Sequence, residues 1–345
     1  MYEYVVSDQL ARLTIVLGIV ISTIIYKRTG RTLGGVIVCG YLALFISHPA
    51  HILVTLSMAY FTYQIVHNIL KKRYMLNGRK LFEVEILVGL FFQVTWLTLI
   101  KILTRADLDL SALYGIGLVL PGVIAHDMGR QGPSNTLGSI FLGVFLVSLI
   151  IIPLSAIQED LPISLSPVKT VLREQVYPYT YPLKLLPFGV IVSVILDLLI
   201  YSRFHFRSGG FVTAAYVALF AFRPLDLLFM VGCSVATFLF VKFVTTHFAL
   251  AFGRTKLGIV ILSGVVISWM FELLTTTLTN GRYIPWSGFV VIMPTIVALL
   301  ANDFDRQGSF RTASVVSMAA VGVFLVMQVF VFALNVFGLN WLYVV

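Results

Sequence analysis

Gly34-Gly35-Val36-Ile37-Val38-Cys39-Gly40-Tyr41-Leu42-Ala43-Leu44-Phe45 returns 175 residues later as Gly209-Gly210-Phe211-Val212-Thr213-Ala214-Ala215-Tyr216-Val217-Ala218-Leu219-Phe220. The same register sets Pro49 on Pro224, Gly78-Arg79 on Gly253-Arg254 and Gly89 on Gly264. Between Gly34 and Gly89, 15 of 56 positions are identical without a gap, more than a shared apolar composition supplies. The register slips by a few residues around Pro121 and Pro294. It is nearly restored at Arg130-Gln131-Gly132 and Arg306-Gln307-Gly308. A repeat this long reads as two copies of one membrane module, not as a stack of short units.

The composition says what surrounds the modules. Apolar residues make up 59% of the chain and charged ones 11%, and the mean hydropathy is +0.97. A soluble domain carries about a quarter of its residues charged, so the solvent for this fold is lipid. The start, Met1-Tyr2-Glu3-Tyr4, has neither the basic residues nor the cleavage site of a signal peptide, and the first span is expected to be retained. Cys39 and Cys233 sit in apolar runs and do not correspond in the repeat. They read as small buried hydrophobes, not as a disulfide or metal site.

Apolar segments fall at residues 10–26, 33–46, 50–70, 84–104, 113–125 and 136–157, and again at 183–201, 209–222, 225–245, 257–278, 287–301 and 313–337. The expected fold is an all-α polytopic membrane protein: a first module at 1–157, an extracytoplasmic linker at 158–182 and a second module at 183–345. If the side holding Lys27, Arg28 and Arg31 is cytoplasmic and every segment crosses, that side collects fifteen basic residues and the other eight. This satisfies the positive-inside rule in a cell membrane with both termini outside. Six segments return each copy to its starting side, which implies parallel copies about an axis along the membrane normal.

Two segments per copy are too short to span, since a crossing helix needs about 20 residues. Residues 33–46 and 113–125 are also rich in Gly and Pro (Gly34, Gly35, Gly40, then Gly115, Gly117, Pro121 and Gly122). Broken or re-entrant helices buried in protein fit this pattern; tilted short helices in a thinned bilayer are the alternative. The linker ends Tyr177-Pro178-Tyr179-Thr180-Tyr181-Pro182, which suits aromatic anchoring at the membrane interface.

Standard catalytic signatures are missing: no phosphate loop, no His-Glu-x-x-His, no Cys-x-x-Cys and no Gly-x-Ser-x-Gly. His126-Asp127 is a possible base with its acid, but neighbours on a helix rarely face each other and the second copy reads Asn302-Asp303. Asp197, Lys242 and Glu272 lie in or beside apolar segments and are candidates either for function or for local pairing. The remaining constellation is of arginines, Arg79 with Arg254 and Arg130 with Arg306, each next to or near a glycine. Arginine's planar fork binds carboxylates and phosphates, whereas the plainer reading makes these residues topology signals that touch lipid headgroups. Lys71-Lys72-Arg73 takes that plainer reading, because the second copy has Thr246-His247-Phe248 there.

The run from Gly34-Gly35 through Gly40-Tyr41, Pro49, Gly78-Arg79-Lys80 and Gly115-Ile116-Gly117-Leu118-Val119-Leu120-Pro121-Gly122 to Arg130-Gln131-Gly132 closely resembles the PgsC/CapC family. The resemblance covers about residues 10–157 and, more weakly, 183–337, so the chain looks like two fused copies of that module. In the second copy Ala215 replaces Gly40 and Thr295 replaces Gly122, while Gly209, Gly210, Tyr216, Pro224, Gly253, Pro294 and Gly308 are kept. The resemblance implies a membrane subunit of poly-γ-glutamate synthase in capsule biosynthesis. Its partners would be a Mur-ligase-like PgsB/CapB-type amide ligase, a PgsA/CapA-type protein and the anionic polymer, with no nucleic acid. ATP and a divalent metal would belong to the ligase, with no cofactor or metal in this chain. On that reading Arg79, Arg130, Gln131, Arg254, Arg306 and Gln307 would meet polymer or partner, the arginines gathering at the cytoplasmic face around the axis between copies. A free-standing transporter of a small anion and an integral-membrane transferase are the competing classes.

Overall fold

The computed structural model describes residues 8–104, 116–160, 179–247, 253–286, 289 and 291–337, and among these every regular element is helical. The first copy gives α1 (Asp8–Thr29), α2 (Val38–Ala43), α3 (Pro49–Ile65), α4 (Lys71–Tyr74), α5 (Gly78–Thr104), α6 (Leu120–Gln131) and α7 (Pro133–Asp160). The second gives α8 (Leu186–Phe204), α9 (Thr213–Leu219), α10 (Pro224–His247), α11 (Gly253–Leu278), α12 (Ile292–Gln307) and α13 (Ser309–Val336). A π-helical turn, Val66–Leu70, joins α3 to α4. The chain is a multi-pass membrane protein. Six stretches are long and apolar enough to cross a bilayer: Leu10–Thr29, Pro133–Leu154, Leu183–Phe204, Pro224–His247, Gly253–Leu278 and Ser309–Val336. Among the described residues, the other apolar segments of the repeat do not meet that measure. One reason is visible in α5, which is long enough but carries Arg79, Lys80, Glu83 and Glu85 in its first turns. On α7, Phe141, Phe145, Leu149 and Ile152 stand exposed at helical spacing, a stripe suited to lipid chains.

Two compact units divide the chain. One comprises residues 1–168, 251–266 and 287–292; the other comprises 169–250, 267–286 and 293–345. In the first, α1, α2 and α7 pack on one another and α6 packs against α3, α5 and α7. In the second, α8, α9 and α13 repeat the α1–α2–α7 packing. The units do not coincide with the sequence copies, because α11 begins in the first unit and continues into the second.

The short segments resolve as broken, buried structure. Gly34 and Gly35 take positive φ (73° and 131°), as do Gly209 and Gly210 (74° and 110°). A side chain at such angles is strained, so the glycine pair sets the turn that delivers α2 and α9. Every residue of α2 is buried. Tyr41 and Tyr216 are buried with it, Tyr41 tilted against Phe45 with ring centroids 5.2 Å apart. The prolines mark where regular helix begins. Pro49, Pro121, Pro224 and Pro294 all lie in the first turn of a regular helix, where the missing N–H would lack a partner anyway. Gly117 lies in a 3-10 turn, Ile116–Leu118; Gly115 falls outside the described residues. Cys39 and Cys233 are buried free thiols.

Of the linker expected at 158–182, the last four residues, 179–182, are described and pack on the second copy. Tyr181 is 2% exposed and donates its hydroxyl to the Ala215 carbonyl at 2.9 Å. Thr180 donates its N–H and its hydroxyl to the Leu219 carbonyl and receives Gln328 Nε2 on its own carbonyl.

Candidate functional site

The site is set by glycines that let backbones touch. At Gly122 of α6 a Cβ would overlap the Ile86 backbone and stand 2.8 Å from the Glu85 carbonyl oxygen. At Gly89 of α5 it would stand 2.7 Å from the Gly122 nitrogen. No side chain fits between the two helices here. Glu85 is therefore carried against α6, where His126 lies one helical turn beyond Gly122 and so on the same face.

The third member comes from the π turn. His67 is its second residue, and π turns inside α-helices recur at functional sites. His67 Nε2 lies 2.8 Å from Glu85 Oε1, and His126 Nδ1 lies 2.6 Å from Glu85 Oε2. The Glu85 side chain is fully buried, while those of His67 and His126 are 12% and 24% exposed. Gly129, in the last turn of α6, makes room: a Cβ there would overlap the His67 imidazole. The Tyr63 ring lies 4.9 Å from that of His67, and Phe82 meets His126 edge-on at 4.8 Å. Each carboxylate oxygen thus has one imidazole, leaving His67 Nδ1 and His126 Nε2 as the outer nitrogens. Among the described residues no group of three His, Cys, Asp or Glu is arranged to hold a metal ion.

The arginines surround this chain of groups in two ways. Arg254, at the start of α11 and in the same compact unit, grips Asp127 with both terminal nitrogens, at 2.6 Å and 3.4 Å. Arg79 pairs with Glu83 one turn along α5. Both forks expected to meet a foreign anion therefore hold an internal carboxylate. Arg130 and Arg306 stand exposed in the last turns of α6 and α12.

The glutamines have an architectural task that sequence reasoning missed. Gln131 accepts the Thr32 N–H at 2.9 Å and donates to the Thr32 carbonyl at 2.6 Å and the Thr136 hydroxyl at 3.1 Å. Gln307 repeats the clamp on Arg207 N–H, the Arg207 carbonyl and Thr312 at 2.9, 2.6 and 3.1 Å. In each copy the amide fixes the residue two positions before the glycine pair. Asp197 does related work by accepting the Ser208 hydroxyl at 2.6 Å.

The three-residue chain itself is not repeated. Lys242, Val260 and Asn302 stand where His67, Glu85 and His126 would be, and Asp305 replaces Gly129. The second unit has a different buried cluster. Asp226 receives the Arg223 guanidinium at 3.0 Å and the Tyr283 hydroxyl at 2.8 Å, and Tyr179 lies under the Arg223 cation at 5.1 Å. Burial, then the neighbouring Asp226 carboxylate, pushes the Tyr283 phenol above its ordinary range. At the positions of Arg223 and Asp226 the first copy has His48 and His51. Glu85 was legible only indirectly, as one of two acids opening an apolar segment whose repeat has Gly258 and Val260.

Comparison with known proteins gives the same duplication. The family model "Capsule biosynthesis CapC" matches residues 17–137 and again residues 192–313, two matches that begin 175 residues apart, the offset of the repeat. The chain belongs to the CapC family. The first relative is "PGA biosynthesis protein CapC" of Bacillus subtilis (strain 168), 32% identical over 130 residues, which are 38% of this chain and 85% of the relative. "Capsule biosynthesis protein CapC" of Bacillus anthracis is similar at the same identity and coverage. One CapC module thus accounts for most of either relative, and this chain carries two. No solved structure matches it.

Proposed function

We propose that this chain is the membrane subunit of a synthase for poly-γ-glutamate or a closely related polyanion. It anchors an ATP-dependent, Mur-ligase-like amide ligase at the cytoplasmic face and helps pass the polymer across the membrane, with a PgsA/CapA-type protein completing the complex. The observation that carries the reading is the double match to CapC, with the first copy aligned to most of a relative named for PGA biosynthesis. Family membership favours this role over a free-standing anion transporter or a transferase. The chain carries 24 Lys and Arg against 15 Asp and Glu, and such a positive excess at a cytoplasmic mouth would draw in a polymer of carboxylates. Arg130 and Arg306, exposed at helix ends, are the arginines left to meet that polymer or an acidic surface of the ligase.

The test is deletion and capture. Removing the chain should abolish cell-associated polymer, and re-expression should restore it. The chain extracted from native membranes should bring the ligase with it. Polymer made at full yield in the deletion strain would overturn the proposal. Arg130→Ala with Arg306→Ala should lower polymer yield at unchanged chain abundance.

A further inference from the structure

The His67–Glu85–His126 chain has no counterpart in the second copy, and the backbone is shaped to make it: a π turn aims His67, Gly129 clears its ring, and Gly122 seats Glu85 beside α6. Buried ionisable side chains are costly unless they are hydrogen-bonded, and imidazoles joined through a carboxyl group can shuttle protons. We infer that His67, Glu85 and His126 form a proton relay, entered at the more exposed His126 and left through His67. Its assay, though not its geometry, rests on the synthase reading above.

The geometry allows one carboxyl group to pass a proton through itself, because each of its oxygens faces a different imidazole at 2.8 Å or less. Place one proton in each contact and one on the outer nitrogen of His67. The three groups together are then uncharged, the arrangement that burial favours. A proton taken up at His126 Nε2 lets the Nδ1 proton move to Glu85 Oε2. The proton on Oε1 moves to His67 Nε2 as the carboxyl double bond shifts, and the Nδ1 proton of His67 leaves. One proton enters and one leaves, and only N–H and O–H bonds change. The elements around the relay carry Tyr63 on α3, Arg79 paired with Glu83 on α5, Asp127 paired with Arg254 at the start of α11, and Arg130 on α6. Asp127 and Glu83 are each held by an arginine, so neither is a free carboxylate competing for the proton. Glu85 lies seven residues into α5, about 10 Å from that helix's start at 1.5 Å per residue, within reach of the water at the helix end through His126.

The experiment uses native membranes holding the whole synthase and measures polymer formed per amount of inserted chain. Glutamine can donate or accept one hydrogen bond in place of each group but cannot hand on a proton. His126→Gln and Glu85→Gln are therefore expected to lose about a hundredfold of the rate, the low end of what acid–base groups contribute, at wild-type abundance and with the ligase still co-purifying. In His126→Ala, millimolar imidazole should restore part of the rate, because this ring is the exposed end. The same imidazole should do nothing for Glu85→Gln. Full rate in either glutamine variant, or a His126→Ala loss that imidazole leaves untouched, overturns the relay. A deletion strain still making polymer would instead fail the synthase reading, so the two failures are distinguishable.

Discussion

Replacing Gln131 by Ala tests the clamp on which the first copy is built. The side chain makes three hydrogen bonds, two to the Thr32 backbone and one to Thr136, and both threonines are buried, at 8% and 0% exposed. Side-chain hydrogen bonds in membrane proteins average about 0.6 kcal/mol each, so three give about 2 kcal/mol. Leaving the Thr32 N–H and carbonyl without partners adds the cost of buried, unpaired groups, about 1–3 kcal/mol. The expected loss is therefore about 3–5 kcal/mol, read from reversible unfolding in mixed micelles. Gln131→Glu separates the parts. It keeps an acceptor for the Thr32 N–H but sets a carboxylate oxygen against the Thr32 carbonyl, so it should be no better than alanine. Gln307→Ala should cost a similar amount, since the second clamp has the same three distances. A Gln131→Ala protein within about 0.5 kcal/mol of wild type, small for the loss of even one such bond, would refute the reasoning.

Five further substitutions act on other contacts. The Asp127 carboxylate is 3% exposed and the Arg254 guanidinium 23%, so Arg254→Ala strands a buried charge and should cost about 3–5 kcal/mol. Asp127→Ala leaves a cation that water reaches and should cost about 1.5–3 kcal/mol; micelle unfolding of both variants checks the order. Gly122→Ala should push α6 from α5 and cost about 1–3 kcal/mol, and Gly129→Ala should displace His67 and depress polymer synthesis with little loss of stability. Tyr283→Phe removes a hydroxyl from the buried Asp226 and should cost about 1.5–3 kcal/mol. Because the folded phenol is raised above its ordinary value near 10, its contribution is complete below that pH and lost as pH rises through the higher folded value, which a tyrosinate absorbance titration follows.

The helical membrane class, the duplication and the family could be read from the sequence because they depend on patterns along the chain: apolar runs, a fixed offset and an ordered set of glycines and prolines. The broken α2 was legible for the same reason, since Gly34-Gly35 declares its backbone. The site was not. Glu85 and His67 are separated by 18 positions, and His126 by 41 more. What joins them is the close crossing at Gly122, whose partner on α5 no local pattern names. His126 and Asp127 turn apart, as neighbours on a helix do, Asp127 to Arg254 and His126 to Glu85. The arginines' internal partners were hidden for a related reason. Recurrence in both copies marked Arg79 and Arg254 as important, and the sequence could not say that each already holds a carboxylate.

What the two copies share and what they do not share divides the residues by role. The glycine pair, the four helix-starting prolines and the Gln131 and Gln307 clamps occur twice, and all of them shape backbone. The histidines, Glu85, Gly122 and Gly129 occur once, with Lys242, Val260, Asn302, Thr295 and Asp305 in their places. These are not independent losses. Gly129 is required only if a ring lies over it, and a side chain at Gly122 would push Glu85 away from α6. Restoring one member to the second copy, such as Val260→Glu, would bury a carboxylate with no imidazole for either oxygen, at a cost without function. The proposed relay therefore belongs to the first copy as a unit of five residues, while Arg254 of the second copy holds Asp127 and Arg306 stands exposed.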